Sequence, residues 1–390
     1  MNPKTVGTTT ENAEHTEGRG VVGEGRRSRV GALARARAAS GSPSSNPTVT
    51  RRRFLGGTAV AAVGVAALGG SAARGRAAVP ADENPWRYDL DRLRQVDPSA
   101  IGYERVGGFR VETRGVVRRL GWSGPRELVV AAGKSLLLYD TDGSKTAELP
   151  MDDVVRSVAV TSDGRWVVGM RDHVEIHNRR GERIARWPAF TGRPFVTGLA
   201  LANDRVFVAD SGNRVVYRCD ESGKVQLRIG EKHAERRIPG LVLPSPFLDV
   251  ELGGDGLLRV TNPGRHRIEV YTQDGDLEQS WGRAGVALDA FCGCCNPVAV
   301  SLLPDGRVVT AEKGLPRVKV YDASGRMETA VAGPDSFAPV GSDERGRGTP
   351  DSAVDGLDVA VAPDGRVAVL DLPGAAVHLF RRKGATPASA

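Results

Sequence analysis

From residue 100 to residue 382 the chain repeats one pattern: a short run with apolar residues at alternate positions, a tight turn, then another such run. Period-two alternation marks strands, and the turns that separate them are hairpin turns. One series falls at Asp163-Gly164, Asn203-Asp204, Asp255-Gly256, Asp305-Gly306 and Asp364-Gly365. A second lies between them, at Asp142-Gly143, Arg180-Gly181, Ser222-Gly223, Asp274-Gly275 and Ser324-Gly325. Gly, Asn and Asp tolerate the positive φ that such turns need. Each series recurs at intervals of about 40 to 60 residues, the period of a propeller blade. Two hairpin turns per unit imply four strands per unit. The pattern predicts an all-β chain built as a propeller of four-stranded antiparallel blades.

The segments between the turns align. Residues 206–217, 258–271, 308–321 and 367–380 each read as a strand, a polar residue, a short Gly/Pro/Asn loop and a second strand that ends in an aromatic. The polar residues are Asp210, Asn262, Glu312 and Asp371, and Arg214, Arg267 and Arg317 recur at one later position. Residues 128–139 and 166–177 are more degenerate copies. The pattern resembles the NHL repeat, and it covers about 280 residues. Six blades are expected, over 113–150, 151–190, 191–243, 244–283, 284–338 and 352–382. The last runs out after three strands, at Phe380. The segment from Tyr103 to Val111 has no blade of its own, so it is expected to supply the missing outer strand and close the ring. Closure removes the sheet edges that invite aggregation.

Upstream of the repeats the composition changes. Residues 1–49 lack apolar periodicity, are rich in Gly, Ser, Thr and Arg, and read as disordered. Residues 50–78 hold Arg51, Arg52, Phe54 and Leu55, followed by a mildly apolar Ala/Gly run too short for a comfortable membrane span. This segment resembles a twin-arginine export signal, with small residues after it that suit cleavage. The resemblance implies passage through the twin-arginine translocase, a periplasmic or extracellular location and no stable membrane span. Residues 79–102 read as a linker with a short helix, 103–382 as the propeller and 383–390 as a disordered tail.

The leader also accounts for the charge. The chain has 54 Lys/Arg and 47 Asp/Glu. Residues 1–78 hold twelve and four of these, so the remainder has 42 and 43, a net charge of −1. The basic balance therefore belongs to the targeting segment, and nothing in the remainder argues for nucleic acid. A monomer is expected.

Three of the four cysteines, Cys292, Cys294 and Cys295, fall within seven residues that run from Phe291 to Pro297, just before an expected strand. In a propeller, the loop that leads into the innermost strand and the loop between the second and third strands open on one face. The cysteines and the polar positions Asp210, Asn262, Glu312 and Asp371 are therefore expected together, around the channel. Glu312 and Lys313 share a blade with the cysteines and are expected nearest to them. Three long loops, 230–246, 283–297 and 333–355, open on the same face. His233 lies on the first, and His266 and His173 lie in loops between second and third strands. The stretch from Phe291 to Pro297 also resembles a motif in a subgroup of bacterial NHL-repeat proteins whose function is not established.

Several chemistries stay open at the cysteines. Three sulfurs with His266, His233 or Glu312 suit Zn, Cu(I) or an iron–sulfur centre. The spacing is not that of common zinc knuckles, and adjacent cysteines point apart on an extended backbone. A structural disulfide suits an exported protein, and a redox-active or nucleophilic thiol is the third option. Cys219, alone beside a turn, reads as a half-buried free thiol. The polar positions have a structural reading, hydrogen bonding of loop backbone, and a functional one, a cation or polar ligand at the channel mouth. The recurring arginines read as blade packing, and Trp122, Trp166, Trp187 and Trp281 as core. No P-loop, Gly-rich dinucleotide loop or His-Glu-x-x-His appears in the sequence.

Two functions follow as expectations. The first is a propeller that binds a metal ion, a small molecule or a protein partner on its cysteine-bearing channel face. The alternative is an enzyme on the same face. The resemblance to NHL-type propellers implies lyases and, more loosely, lactone hydrolases that hold a divalent cation such as calcium at the channel mouth. A thiol redox protein is the other form of that alternative.

Overall fold

The computed structural model describes residues 89–337 and 356–385. The expected disorder of 1–49 and the export signal of 50–78 lie outside the described residues, as do 338–355 of the third long loop and residues 386–390 of the tail. A short helix, Leu90–Arg94, is capped by Asp89, whose carboxylate accepts the Arg92 amide. Among the described residues all other regular structure is β apart from single 3₁₀ turns. Among the described residues no helix is long and apolar enough to cross a membrane.

Among the described residues, twenty-four strands form six four-stranded antiparallel sheets. Blade one holds Val117–Trp122, Glu127–Ala132, Ser135–Asp140 and Lys145–Pro150, from the channel outwards. Blade two holds Ser157–Val160, Trp166–Gly169, Val174–His177 and Arg183–Arg186. Blade three holds Val196–Leu201, Arg205–Asp210, Val215–Asp220 and Val225–Ile229. Blade four holds Val250–Leu252, Leu258–Asn262, Arg267–Tyr271 and Leu277–Trp281. Blade five holds Ala299–Leu302, Val308–Ala311, Val318–Tyr321 and Met327–Ala332. Blade six holds Leu357–Val361, Val367–Asp371 and Ala376–Arg382, and its outermost strand is Tyr103–Arg110 from the start of the domain. The third strand runs to Arg382, beyond Phe380, because it pairs with Tyr103–Arg110 as far as Tyr103. The first and last strands of the chain thus close the ring.

The innermost strands of consecutive blades touch in sequence order, and blade six touches blade one. The chain builds one apolar cluster for each of the six interfaces. The second strands explain how. Leu128, Val130 and Ala132 enter the cluster shared with blade six, whereas Val129 and Ala131 enter the cluster shared with blade two. Successive strand residues point to opposite faces, so an apolar run serves both neighbours. Full burial of each Val or Leu contributes about 1.5–3 kcal/mol. Outermost strands read polar instead, as in Arg183–Arg186.

The outer hairpin glycines do more than turn the chain. Gly223 and Gly325 each have φ +84°, and each lies under an indole of the preceding blade, Trp187 and Trp281. A Cβ at either would overlap the ring.

Candidate functional site

The polar residues that follow or end the second strands form a repeated device. Asp210 Oδ1 accepts the Phe195 amide at 2.8 Å and the Asn213 amide at 3.0 Å, and its Oδ2 accepts from the Asn213 side chain. Asn262 Oδ1 accepts the Val242 amide at 2.9 Å. Glu312 Oε1 accepts the Cys292 amide at 2.9 Å. In blades three, four and five, one side chain therefore holds the loop that leads into its own innermost strand. Asp371 accepts the Gly374 amide at 3.1 Å.

Glu312 has the most demanding position. It is fully buried, with Arg317 forked across both oxygens at 2.7 and 3.0 Å and the Lys319 ammonium at 3.1 Å. Burial pushes the Lys319 ammonium down to about 8, with Glu312 opposing that shift. Both cations also donate to the Ala290 carbonyl, at 3.1 and 2.8 Å. Arg317 reaches the Val286 and Ala287 carbonyls as well. Blade five thus clamps the loop over 283–292 with a buried carboxylate and two cations.

The cysteines follow that clamp. Gly293 takes φ +79°, where only glycine is unstrained, and the chain doubles back. Asn296 closes the turn by donating to the Cys292 carbonyl and the Lys313 carbonyl, and it accepts the Lys313 amide at 2.8 Å. His266, from blade four, bonds to the Gly293 carbonyl through Nε2. The turn reverses what an extended chain would do: Cys294 Sγ and Cys295 Sγ lie 3.1 Å apart. Cys294 is exposed, Cys292 half-buried and Cys295 buried at 6%. Burial pushes the Cys295 thiol up, the Ser245 hydroxyl opposes it, and Cys294 adds to it. None of the four cysteines is in a disulfide. Cys219 is fully buried, and burial pushes it up to about 12, so it is an inert packing thiol.

Among the described residues no group of three His, Cys, Asp or Glu side chains converges as a metal site. His266 and Glu312 support the turn through its backbone. Lys313 sits with its ammonium 4.6 Å from the centre of the Phe247 ring. His233 accepts the Arg236 amide in a hairpin of its own. His173 pairs with Asp172 at 2.6 Å and with Glu175 at 3.2 Å, in blade two.

The channel holds a layer that the sequence reading missed. Strand pairing sets Arg119, Ser157, Gly198, Asp249, Ala299 and Asp358 at the same level of the six innermost strands. Arg119 of blade one donates to Asp358 of blade six at 2.7 Å, and to Asp249 of blade four. Asp358 also accepts the Leu120 amide at 2.7 Å, and Asp249 accepts the Val250 and Val300 amides, each at 2.9 Å. The three uncharged members are small. A Cβ on Gly198 would lie 2.7 Å from Asp249 Oδ1. Burial and the Asp249 charge push the Asp358 carboxyl up, with Arg119 opposing. Glu251, in the same strand as Val250, is pushed up to about 8 by burial and by Asp249. One sequence signal was available: Leu-Asp-Val stands at the start of the innermost strand twice, at 248–250 and 357–359.

Above this layer lies a pocket of about 50 Å³, among the strand starts on the face that carries the cysteine turn. Arg118, Arg119, Arg156, Phe195, Phe247 and Asp358 give it its character. The Arg156 guanidinium stacks 4.0 Å from the centre of the Phe195 ring. Val298, three residues beyond Cys295, is part of the wall.

Comparison with known proteins adds the fold and little more. No family model matches the chain. No curated protein matches it. A structural-genomics protein of unknown function from Bacteroides thetaiotaomicron VPI-5482 superposes with TM-score 0.50 at 13% identity, covering 71% of this chain and 75% of that one. A streptogramin B lyase superposes with TM-score 0.49 at 12% identity, over 72% of this chain and 97% of that one. A virginiamycin B lyase from Staphylococcus aureus gives TM-score 0.47 at 12% identity, over 71% and 99%. At these identities the likeness is one of fold alone, and the chain stands as a six-bladed β-propeller.

Proposed function

We propose that this protein is an exported NHL-type propeller that binds a small, acceptor-bearing ligand in the mouth of its channel, on the face that carries the cysteine turn. The pocket carries this reading. It is concave, it lies where the six innermost strands begin, and it combines guanidinium groups with two aromatic rings. Arg119 is paired with Asp249 and Asp358, and the positive charge that the guanidinium groups bring to the mouth favours a ligand that carries acceptors or negative charge. Phe195 and Phe247 favour a flat or apolar body. Phe247 carries the Lys313 ammonium, and the Lys313 backbone is tied to Asn296 of the cysteine turn. A ligand against Phe247 would reach the turn through Phe247 and Lys313.

The other occupants of this face have less support. A metal on Cys292, Cys294 and Cys295 lacks a converging fourth ligand, because His266 and Glu312 are spent on backbone and on Arg317 and Lys319. A catalytic cation on Asp210 and Glu312 meets the same difficulty, since Asp210 already takes three donors. Export rests on Arg51, Arg52, Phe54 and Leu55 in the sequence. Replacing Arg51 and Arg52 by Lys should leave the protein in the cytoplasm.

Native mass spectrometry and elemental analysis of the protein as exported by its own cells test the ligand reading. The expected result is a bound small molecule on the wild type, reduced at least tenfold in Phe247→Ala with little change in melting temperature. Wild-type protein that carries no bound species would overturn it.

A further inference from the structure

The two adjacent sulfurs have an arrangement of their own, independent of any ligand in the pocket. Their 3.1 Å separation is well inside ordinary packing of two sulfurs, yet longer than the ~2.05 Å of a disulfide bond. The pair is asymmetric: Cys294 is open to solvent, and Cys295 is buried behind it. Thiol–disulfide exchange needs this division of labour, with one accessible sulfur to meet the substrate and a second within reach to resolve the mixed disulfide.

The turn is also held at several points before any chemistry begins. Glu312 fixes the Cys292 amide, Asn296 ties Cys292 to Lys313, and His266 fixes the Gly293 carbonyl. Bringing the two sulfurs together therefore costs little further chain entropy. The positive charge of Lys313 lies close enough to favour the thiolate of Cys295, against the effect of burial.

We propose that Cys294 and Cys295 form a two-electron dithiol–disulfide pair that exchanges with low-molecular-weight disulfides, Cys294 as the attacking thiol and Cys295 as the resolving thiol. Cys294 gives its proton to solvent, and its thiolate attacks one sulfur of the substrate RSSR. The substrate S–S bond breaks, a Cys294–SR bond forms, and RS⁻ leaves and is protonated. Cys295 then gives up its proton and attacks the Cys294 sulfur. The second RS⁻ leaves and is protonated, and a Cys294–Cys295 bond remains. The protein is oxidised by two electrons, and RSSR is reduced to two RSH.

Glutathione disulfide is the probe. The full chain is reduced, freed of reductant and mixed with it, and the products are read by mass spectrometry of the intact protein and of its proteolytic peptides. The expected wild-type result is two glutathiones released per chain, a mass loss of two hydrogens and a bond mapped to Cys294–Cys295. Cys294→Ser should slow release at least tenfold. Cys295→Ser should stop after the first step, with one glutathione released and one retained on Cys294. Cys295 is buried, so Cys295→Ala serves as a second variant with the same expected arrest. A persistent glutathione adduct on wild-type Cys294 would overturn the proposal. So would a bond that involves Cys292, or reaction only after denaturation in urea.

Discussion

Arg119 and Asp249 stand on diametrically opposite blades and hydrogen-bond across the axis of the ring. Asp358, on the blade next to Arg119, takes the other end of the same guanidinium. One cation thus joins blades one, four and six, and the small residues Ser157, Gly198 and Ala299 leave it room. The channel is plugged at this level by a triad of charged groups rather than by apolar side chains.

That arrangement sets an order of mutational costs. Arg119→Met leaves two buried carboxylates without their counter-ion and should cost about 3–5 kcal/mol. Gly198→Ala pushes a methyl against Asp249 and should cost about 1–3 kcal/mol. Replacing Arg119, Asp249 and Asp358 together by Met, Asn and Asn should recover most of the loss, since the amide oxygens still accept from the backbone amides of Leu120 and of Val250 or Val300, and none of the three side chains is charged. Urea unfolding of the three variants checks the order, and a triple variant no better than Arg119→Met would refute it.

Glu251 makes stability depend on pH. Its ordinary value is 4.5, and burial with the Asp249 charge raises it to about 8 in the folded protein. The folded state therefore holds one more proton than the unfolded state between about pH 4.5 and pH 8. Stability from this group is present below that window and lost as pH rises through it. His378 acts oppositely lower down, since burial holds it at about 4 against an ordinary 6.5. Comparison with Glu251→Gln removes that background. Wild type should lose about 2 kcal/mol relative to the variant between pH 5 and pH 9, a figure reduced for partial solvent access. Parallel stability curves for the two proteins would count against the assignment.

What was legible in the sequence follows from what repeats. The hairpin turns and apolar alternation recur in each blade, and Asp210, Asn262 and Glu312 recur at one aligned position, so blades and polar ring are visible without coordinates. The channel layer is not. Register shifts between Val117 and Arg119, and between Val196 and Gly198, break the sequence alignment of the innermost strands. Arg119 finds Asp249 and Asp358 at separations of 130 and 239 residues. The cysteines precede the innermost strand of blade five, and on an extended backbone neighbouring side chains would diverge. Gly293 and Asn296 make a closed turn instead, which is why two sulfurs expected to diverge meet.

Gly223 and Gly365 separate two effects that usually travel together. Both have positive φ, +84° and +81°, so alanine at either should cost about 1–2 kcal/mol through the backbone. Only Gly223 lies beneath an indole, that of Trp187, whereas Gly365 has open space at its Cβ. Gly223→Ala should therefore be the more destabilising by a further ~1–3 kcal/mol. Trp187→Leu should narrow that gap. Equal melting temperatures for the two alanine variants would show that the indole gives way freely.

Glu312 links the stability of blade five to the reactivity of the cysteine turn. Glu312→Gln keeps an acceptor for the Cys292 amide but leaves Arg317 and Lys319 buried without a counter-ion, and about 3–5 kcal/mol should be lost near neutrality. The loss has its own pH signature. Lys319 already sits at about 8, below its ordinary 10.5, and Glu312 is what opposes a deeper fall. In the variant it should fall further, so between that lower value and pH 8 the folded variant sheds a proton that the unfolded chain keeps. Lys319 thus adds a rise in stability with pH across that window in the variant and none in the wild type, while Glu251 acts alike in both, so the gap between them narrows from pH 6 to pH 8. With the Arg317 and Lys319 clamp on the Ala290 carbonyl weakened, alkylation of Cys294 should quicken over the same range. A gap that stays constant with pH would mean that Lys319 is not the group responding to Glu312.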